Sequence, residues 1–270
     1  MPRVPVNDFD KQKSYYKYFV QPMAKPPEER MAAINDEPGD VKDALHIRDR
    51  NKLFEPGNLP GEFGWWQFED GTAMIANQTF FPGTTGEMFD WWFSWHPIDR
   101  LRYAIWDSED HFDVYLDDKA HTLDFSLSVR ERHWGSVHHI WEDIGLGGND
   151  LLRLEFKRPR EIGYDESKID TEACNALICA NCRTIGSVDR PDAPVVMTHF
   201  LRPCEGGSEL RSRFWFGWQI ENGEPVKKIP DGFVVPKIAP IMLLKHNVIE
   251  FTNLAAILPS VYAEEKDNWV

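Results

Sequence analysis

The chain has 270 residues, 42% of them hydrophobic and 13% aromatic, with 11 Trp and 17 Phe. That length carries one large core, or a core with a small companion domain, and the aromatic content suits an aromatic-walled interior or pocket. With 30 basic against 44 acidic residues the formal net charge is −14, which argues against a nucleic-acid or anionic-membrane partner.

No apolar run is long enough to cross a bilayer, so no membrane span is expected. Residues 1–8 lack the apolar centre of a signal peptide, and the chain reads as cytoplasmic. The cysteines are Cys174, Cys179, Cys182 and Cys204. Cys179 and Cys182 form a CxxC, but no second CxxC or histidine pair completes a zinc site, so free thiols are expected.

In chain order, residues 1–65 are mixed: short amphipathic stretches broken by prolines, with an aromatic cluster at 15–19. A helix start at 26–31 has prolines ahead of its acidic first turn, and a short helix is expected over 41–50. The Pro-Gly-Asn-Leu-Pro-Gly run at 56–61 is the strongest punctuation, and a small N-terminal, mostly helical region is expected to end near residue 65. Residues 72–81 read as a strand. The segment 87–96 is too aromatic to be solvated, 97–106 reads as a turn and short helix, and 107–112 as an acidic loop. Strands are expected over 122–129, 136–141, 151–156, 176–184, 195–201 and 209–220, with a hairpin signal at 205–208. The glycine-rich break at 145–150 is a plain turn, because no strand–GxGxxG–helix unit surrounds it. Residues 233–258 form the one long helix candidate, expected to bury Met242, Ile249 and Ala256. Many antiparallel strands closed by one long C-terminal helix give an α+β fold, and a ligand cavity is expected between sheet and helix.

His246 and Glu250 are four apart, so on that helix they share a face. A solvent-facing pair satisfies the same spacing. An imidazole and a carboxylate presented together also make half of a metal site or an acid–base pair. Nine histidines are available, and composition does not choose among them. Three further contexts stand out: His111 in the acidic loop, Glu142 closing a strand before the glycine turn, and His199 inside the apolar strand 195–200. His199 is either a satisfied core histidine or a pocket residue.

Five motifs occur in order between residues 70 and 258. They are Trp91-Trp92-Phe93-Ser94-Trp95-His96-Pro97; Arg102-Tyr103 with Trp106 and His111; Trp141-Glu142-Asp143-Ile144-Gly145; Glu209-Leu210-Arg211-Ser212-Arg213-Phe214-Trp215; and His246 with Glu250, Phe251, Asn253 and Leu254. Together they resemble the diacetylphloroglucinol hydrolase family, which also contains phloretin hydrolase; residues 1–65 carry little of the resemblance. The resemblance implies a zinc hydrolase on a helix-grip fold, an antiparallel sheet wrapped on the long C-terminal helix over residues 66–270. A smaller N-terminal domain and a homodimer come with it. By resemblance the metal ligands are His111, Glu142, His246 and Glu250, a donor set that iron or manganese would also accept.

The implied reaction hydrolyses the carbon–carbon bond between a polyhydroxylated phenol ring and its acyl group. Expelling an aryl carbanion is prohibitive, but a ring protonated on carbon leaves as a stabilised enolate. Tyr103 and His199 are the candidates for holding ring hydroxyls and moving protons, and Trp106, Arg213 and Phe214 for binding the phenolic ketone. There are two departures from the family pattern. Phe214 stands where a Tyr would offer a hydroxyl, and the stretch 183–194 has no histidine. Both favour a substrate with a different acyl group, such as phloretin, over the diacetyl compound. The reading from a different class is a non-catalytic carrier of an aromatic ligand, which has no need for two His and two Glu converging in its cavity.

Overall fold

The computed structural model describes residues 2–34, 36–146, 150–185 and 194–269. Of the glycine-rich turn and the histidine-free stretch noted above, residues 147–149 and 186–193 lie outside that set. The helices are α1 (Tyr16–Val20), α2 (Glu28–Ala32), α3 (Gly86–Trp95), α4 (Arg100–Ala104), α5 (Lys119–Thr122) and α6 (Ile238–Glu265). The strands are β1 (Gly64–Gln67), β2 (Ala73–Pro82), β3 (His111–Leu116), β4 (Val137–Glu142), β5 (Asp150–Phe156), β6 (Ala176–Ile185), β7 (Val195–Cys204), β8 (Gly207–Phe216), β9 (Trp218–Glu221) and β10 (Glu224–Lys227).

Eight strands form one sheet in the order β1-β2-β8-β7-β6-β5-β4-β3, with every neighbouring pair antiparallel. The chain starts at one edge with β1 and β2. It crosses through α3 and α4 to the far edge at β3, then meanders back to β8 beside β2. The stretch expected as one strand at 209–220 is two, β8 and β9. Gly217 separates them at a φ of 87°, a left-handed conformation that glycine adopts without strain.

Helix α6 reaches strands near both edges of this sheet. Asn247 accepts a hydrogen bond from Asn77 on β2 (3.0 Å), while the adjacent His246 lies 3.3 Å from His111 on β3. Two consecutive helix residues touch strands near opposite edges only if the sheet curls around the helix. That is the helix-grip arrangement.

Both faces of the central strands are covered, which explains why they read as nearly continuous apolar runs. One face packs against α3, α4 and α6 through Phe81, Ile178, Phe251 and Leu254. The other packs Met74, Val196, Phe200 and Trp215 against Leu45, Ile47, Leu53 and Phe54 of the N-terminal region and against Ile162 and Tyr164. The N-terminal region therefore contributes to both cores, since Val4, Tyr15, Tyr18 and Phe19 belong to the first.

Three local expectations are corrected. Residues 122–129 are not a strand: α5 ends there, and Asp124 accepts from the Ser126 amide and hydroxyl, a side-chain turn that competes with strand pairing. The segment 41–50 folds as 3-10 turns, Val41–Asp43 and Ile47–Phe54. Helix α6 runs on past Pro259 to Glu265, and its buried side is Leu244, Val248, Phe251, Leu258 and Val261. Met242 and Ile249 are half-buried and Ala256 is exposed. Apolar residues surround most of this helix, so a seven-residue series cannot select its inner face. At 28 residues α6 is also long and apolar enough to cross a membrane, contrary to expectation, but 67% of its apolar window is buried, as in a core helix.

Candidate functional site

The curled sheet and α6 enclose a cavity of about 350 Å³ with mostly apolar walls, among them Phe93, Trp106, Leu154, Phe156, Phe214 and Phe233. Tyr103, His199, Glu142, His246 and Glu250 also line it.

Each polar group is delivered by a separate element. His111 is the first residue of β3 rather than part of a loop, and it pairs in register with Glu142, the last residue of β4. A register shift follows at once between His111 and Asp113, the kind of bulge that re-aims a side chain. His246 and Glu250 come from one face of α6. His111 Nε2 is the centre of the group, 3.3 Å from His246 Nε2, 3.6 Å from Glu250 Oε2 and 3.9 Å from Glu142 Oε2. All four residues are buried.

The surrounding contacts fix their orientation. His111 Nδ1 donates to the Tyr103 carbonyl (3.3 Å), which leaves Nε2 with its lone pair. The Tyr103 ring stacks flat on His111, with centroids 4.1 Å apart at 6°, and its hydroxyl donates to Glu142 Oε2 at 2.6 Å. Asn247 Nδ2 donates to Glu250 Oε1 (3.0 Å), and Trp106 Nε1 donates to the Glu250 carbonyl (3.1 Å).

Electrostatically the cluster is short of positive charge. Burial pushes the Glu142 and Glu250 carboxyls up from their usual range. Burial alone would pull His246 down, but Asp110, Glu250, Glu142 and Asp107 outweigh it and raise its pKa. The Asp110 contact to His246 Nδ1, at 3.9 Å, is an ion pair, too long for a hydrogen bond. His111 is pushed well below its ordinary value by burial and by His246.

Asp107 was not anticipated. It offers a ligand atom within 4.8 Å of those of His111 and His246, so these three side chains form a group able to hold a metal ion. Its Oδ1 accepts from the Glu109 and Asp110 amides, while its Oδ2 is buried with no hydrogen-bond partner, as is His246 Nδ1. The orphaned Asp107 oxygen, within reach of His111 and His246 and beside clustered carboxylates, fits a bound cation. The acidic loop 107–112 was the available signal, and spacing did not single out its first residue.

His199 on β7 is the second polar feature of the cavity. Its Nδ1 is 2.9 Å from Ser212 Oγ on β8, and it packs among Phe93, Phe214 and Phe251. Burial pushes its pKa down to about 3. Trp106 and Phe214 stand in the cavity wall. Arg213 does not, which corrects its expected role in substrate binding. Side chains alternate along β8, so with Phe214 facing the cavity, Arg213 emerges on the other face, fully buried and ion-paired to Glu62.

An apolar pocket with a metal-competent cluster in its wall defines a class of ligand-binding or metal-assisted site on this fold. The chain belongs to the DAPG hydrolase PhiG domain family, whose profile matches residues 45–263. It is 41% identical over 270 residues to a phloretin hydrolase of Eubacterium ramulus, covering 99% of this chain and 96% of that protein. It is 30% identical over 271 residues to a 2,4-diacetylphloroglucinol hydrolase of Pseudomonas sp, covering 93% and 88%. The first alignment thus extends through the N-terminal region. Similar solved structures include Ara h 8.0201 (TM-score 0.39, 11% identity, 70% of this chain and 99% of that one) and the major latex-like protein 151 of Panax ginseng (0.37, 12%, 68% and 99%).

Proposed function

We propose that this chain is a metal-dependent hydrolase that cleaves the carbon–carbon bond between a polyhydroxylated phenol ring and its acyl group. Phloretin is the favoured substrate, giving phloroglucinol and an arylpropionic acid. The observation that carries the reading is the convergence of His111, His246, Glu142 and Glu250, the last three of which line an apolar cavity. The higher identity to the phloretin enzyme supports the substrate preference, as do the mostly apolar walls of the cavity. A carrier of aromatic ligands has no use for such a cluster.

In this reading His111, Glu142, His246 and Glu250 hold zinc, and Asp110 steadies His246 through Nδ1. An ion held there supplies Lewis acidity beside the acyl group. Protonating the ring carbon that bears the acyl group converts the phenol to a dienone. The oxygen of water adds to the acyl carbon, the carbon–carbon bond breaks with its electron pair passing to the ring, and the acyl group leaves as a carboxylic acid. Tyr103, which holds a proton against Glu142, and His199, kept neutral by burial and tethered by Ser212, handle the oxygen-bound protons of this sequence. Trp106 and Phe214 hold the aromatic parts by packing.

The same reading takes residues 1–65 as a buttress of the sheet and the protein as a cytoplasmic homodimer. The four free cysteines fit a reducing compartment. Exposed Tyr115 and Trp141, on neighbouring strands at the β3 edge, suit a second copy, and sedimentation tests that.

Incubation with phloretin and with mono- and diacetylated phloroglucinol, followed by chromatography of ring and acid products, tests the function. Phloroglucinol and arylpropionic acid are expected from phloretin. If none of these compounds loses an acyl group as the free acid, the substrate class is wrong.

A further inference from the structure

We infer that His96 and His138 form a second recognition pole of the cavity, a pair of hydrogen-bond acceptors that takes phenolic hydroxyls of the substrate and sets its specificity. The inference rests on the phenolic-ketone reading of the cavity above, and it concerns two residues which that reading leaves without a role.

Both histidines line the cavity and both are almost fully buried, 2% and 1% exposed. Their tautomers follow from their partners. His96 Nδ1 lies 2.7 Å from the Trp92 carbonyl at the end of α3. A carbonyl only accepts, so Nδ1 carries the proton and Nε2 keeps its lone pair. His138 Nε2 lies 3.0 Å from Ser136 Oγ, and that hydroxyl gives its own proton to the His133 carbonyl at 2.7 Å. The serine oxygen is therefore the acceptor for His138 Nε2–H, and Nδ1 keeps the lone pair. Neither lone-pair nitrogen has a hydrogen-bond partner among the described residues. The fold thus fixes two imidazoles so that each can only accept.

Their neighbours keep them neutral. Burial pushes His96 down to about 3 and His138 well below its ordinary value. The rings lie 6.0 Å apart at 78°, with Phe156 packed against His138 at 4.3 Å. A neutral acceptor in an apolar wall discriminates by chemistry. A hydroxyl satisfies it, whereas a methyl ether or a carboxylate leaves it unpaired and desolvated.

The placement suits a hydroxyl on the ring that carries the acyl group. Tyr103 stacks between the metal-competent cluster and the pole, 4.1 Å from His111 and 5.9 Å from His96. One phenol ring can bridge that span, with its acyl group at the cluster and its para hydroxyl at the histidines. The first-named cluster then reads the ketone, and the pair reads the phenol.

The test compares binding of phloretin with binding of its analogue methylated at the hydroxyl para to the acyl group, followed by tryptophan fluorescence on the metal-loaded protein. Wild type is expected to prefer the free hydroxyl by on the order of 10²-fold. His96→Leu and His138→Leu are each expected to shrink that preference to within roughly tenfold at unchanged metal content. His138→Asn and His96→Gln, which keep an acceptor atom at the cavity-facing position, should restore much of it. A preference absent in wild type, or unchanged in folded, metal-loaded Leu and amide variants, overturns the inference. Phloroglucinol, which has no acyl bond to cleave, serves as a second ligand. If wild type hydrolyses no acylphenol yet still binds phloroglucinol in a manner dependent on His96 and His138, the hydrolase reading fails and the recognition pole stands.

Discussion

At the scale of single residues, two groups of buried charges follow opposite logic. Glu62 lies between Arg211 and Arg213, and these guanidiniums, against the carboxyl's own burial, hold its pKa at about 2. A carboxyl depressed on folding adds stability that is complete above its unfolded value and is lost as pH falls toward the folded one. Stability is therefore expected to drop between about pH 4.5 and pH 2, and Glu62→Gln, which strands two buried cations, is expected to cost about 3–5 kcal/mol at neutral pH. Urea unfolding of both proteins at pH 7 and pH 3 checks this. The variant should also lose most of the difference between the two pH values. By contrast, Glu142 and Glu250 in the cavity wall and Asp107 near them make no ion pair with a guanidinium among the described residues. Glu250→Gln is expected to abolish turnover through loss of metal, whereas His199→Ala keeps the metal and loses rate, as elemental analysis beside turnover would read. Metal fully retained by Glu250→Gln contradicts the ligand assignment.

At the scale of elements, α6 is held from one side by an amide relay that ends in the cluster. Arg30 of α2 donates to Asn77 Oδ1 on β2, Asn77 donates to Asn247 on α6, and Asn247 donates to Glu250 Oε1. Asn247→Ala frees the Glu250 carboxylate while leaving every proposed ligand in place. It is expected to weaken metal binding 10–100-fold, as removal of an orienting partner typically does, and chelator competition measures the change. On the same helix Phe251 packs under both Trp106 and His199 (5.3 and 4.7 Å). Phe251→Ala opens a cavity there and is expected to cost about 3–5 kcal/mol, visible as a lower denaturant midpoint.

At the scale of the whole molecule, both faces of the central strands are covered, and residues ahead of β1 help to cover both sides. Ile47 and Leu53 are completely buried against one face, and Phe19 is nearly so on the other. Deleting residues 1–63 uncovers apolar surface on two sides at once. The remaining chain is expected to lose its cooperative thermal transition, measured by circular dichroism. A sharp transition near that of the full chain would show instead that the N-terminal region is dispensable for the fold.

The sequence by itself determined what local spacing encodes. Periodicity and turn residues marked six of the strands of the large sheet and the long terminal helix. The four-residue step placed His246 and Glu250 together, and the ordered motifs brought His111 and Glu142 into the same expectation. What local spacing does not encode, only the tertiary structure decided. An apolar helix such as α6 does not announce its inner face, so the buried side differed from the expected one. A strand announces two faces but not which is the cavity, so Arg213 was expected beside Phe214 and stands instead with Glu62. Asp107 joins His111 and His246 because the crossover from β2 to β3 brings the acidic loop over α6, and no spacing within that loop reports a partner more than 130 residues away. Closure of the sheet around the helix brings these distant pieces together, and that closure is a property of the whole chain.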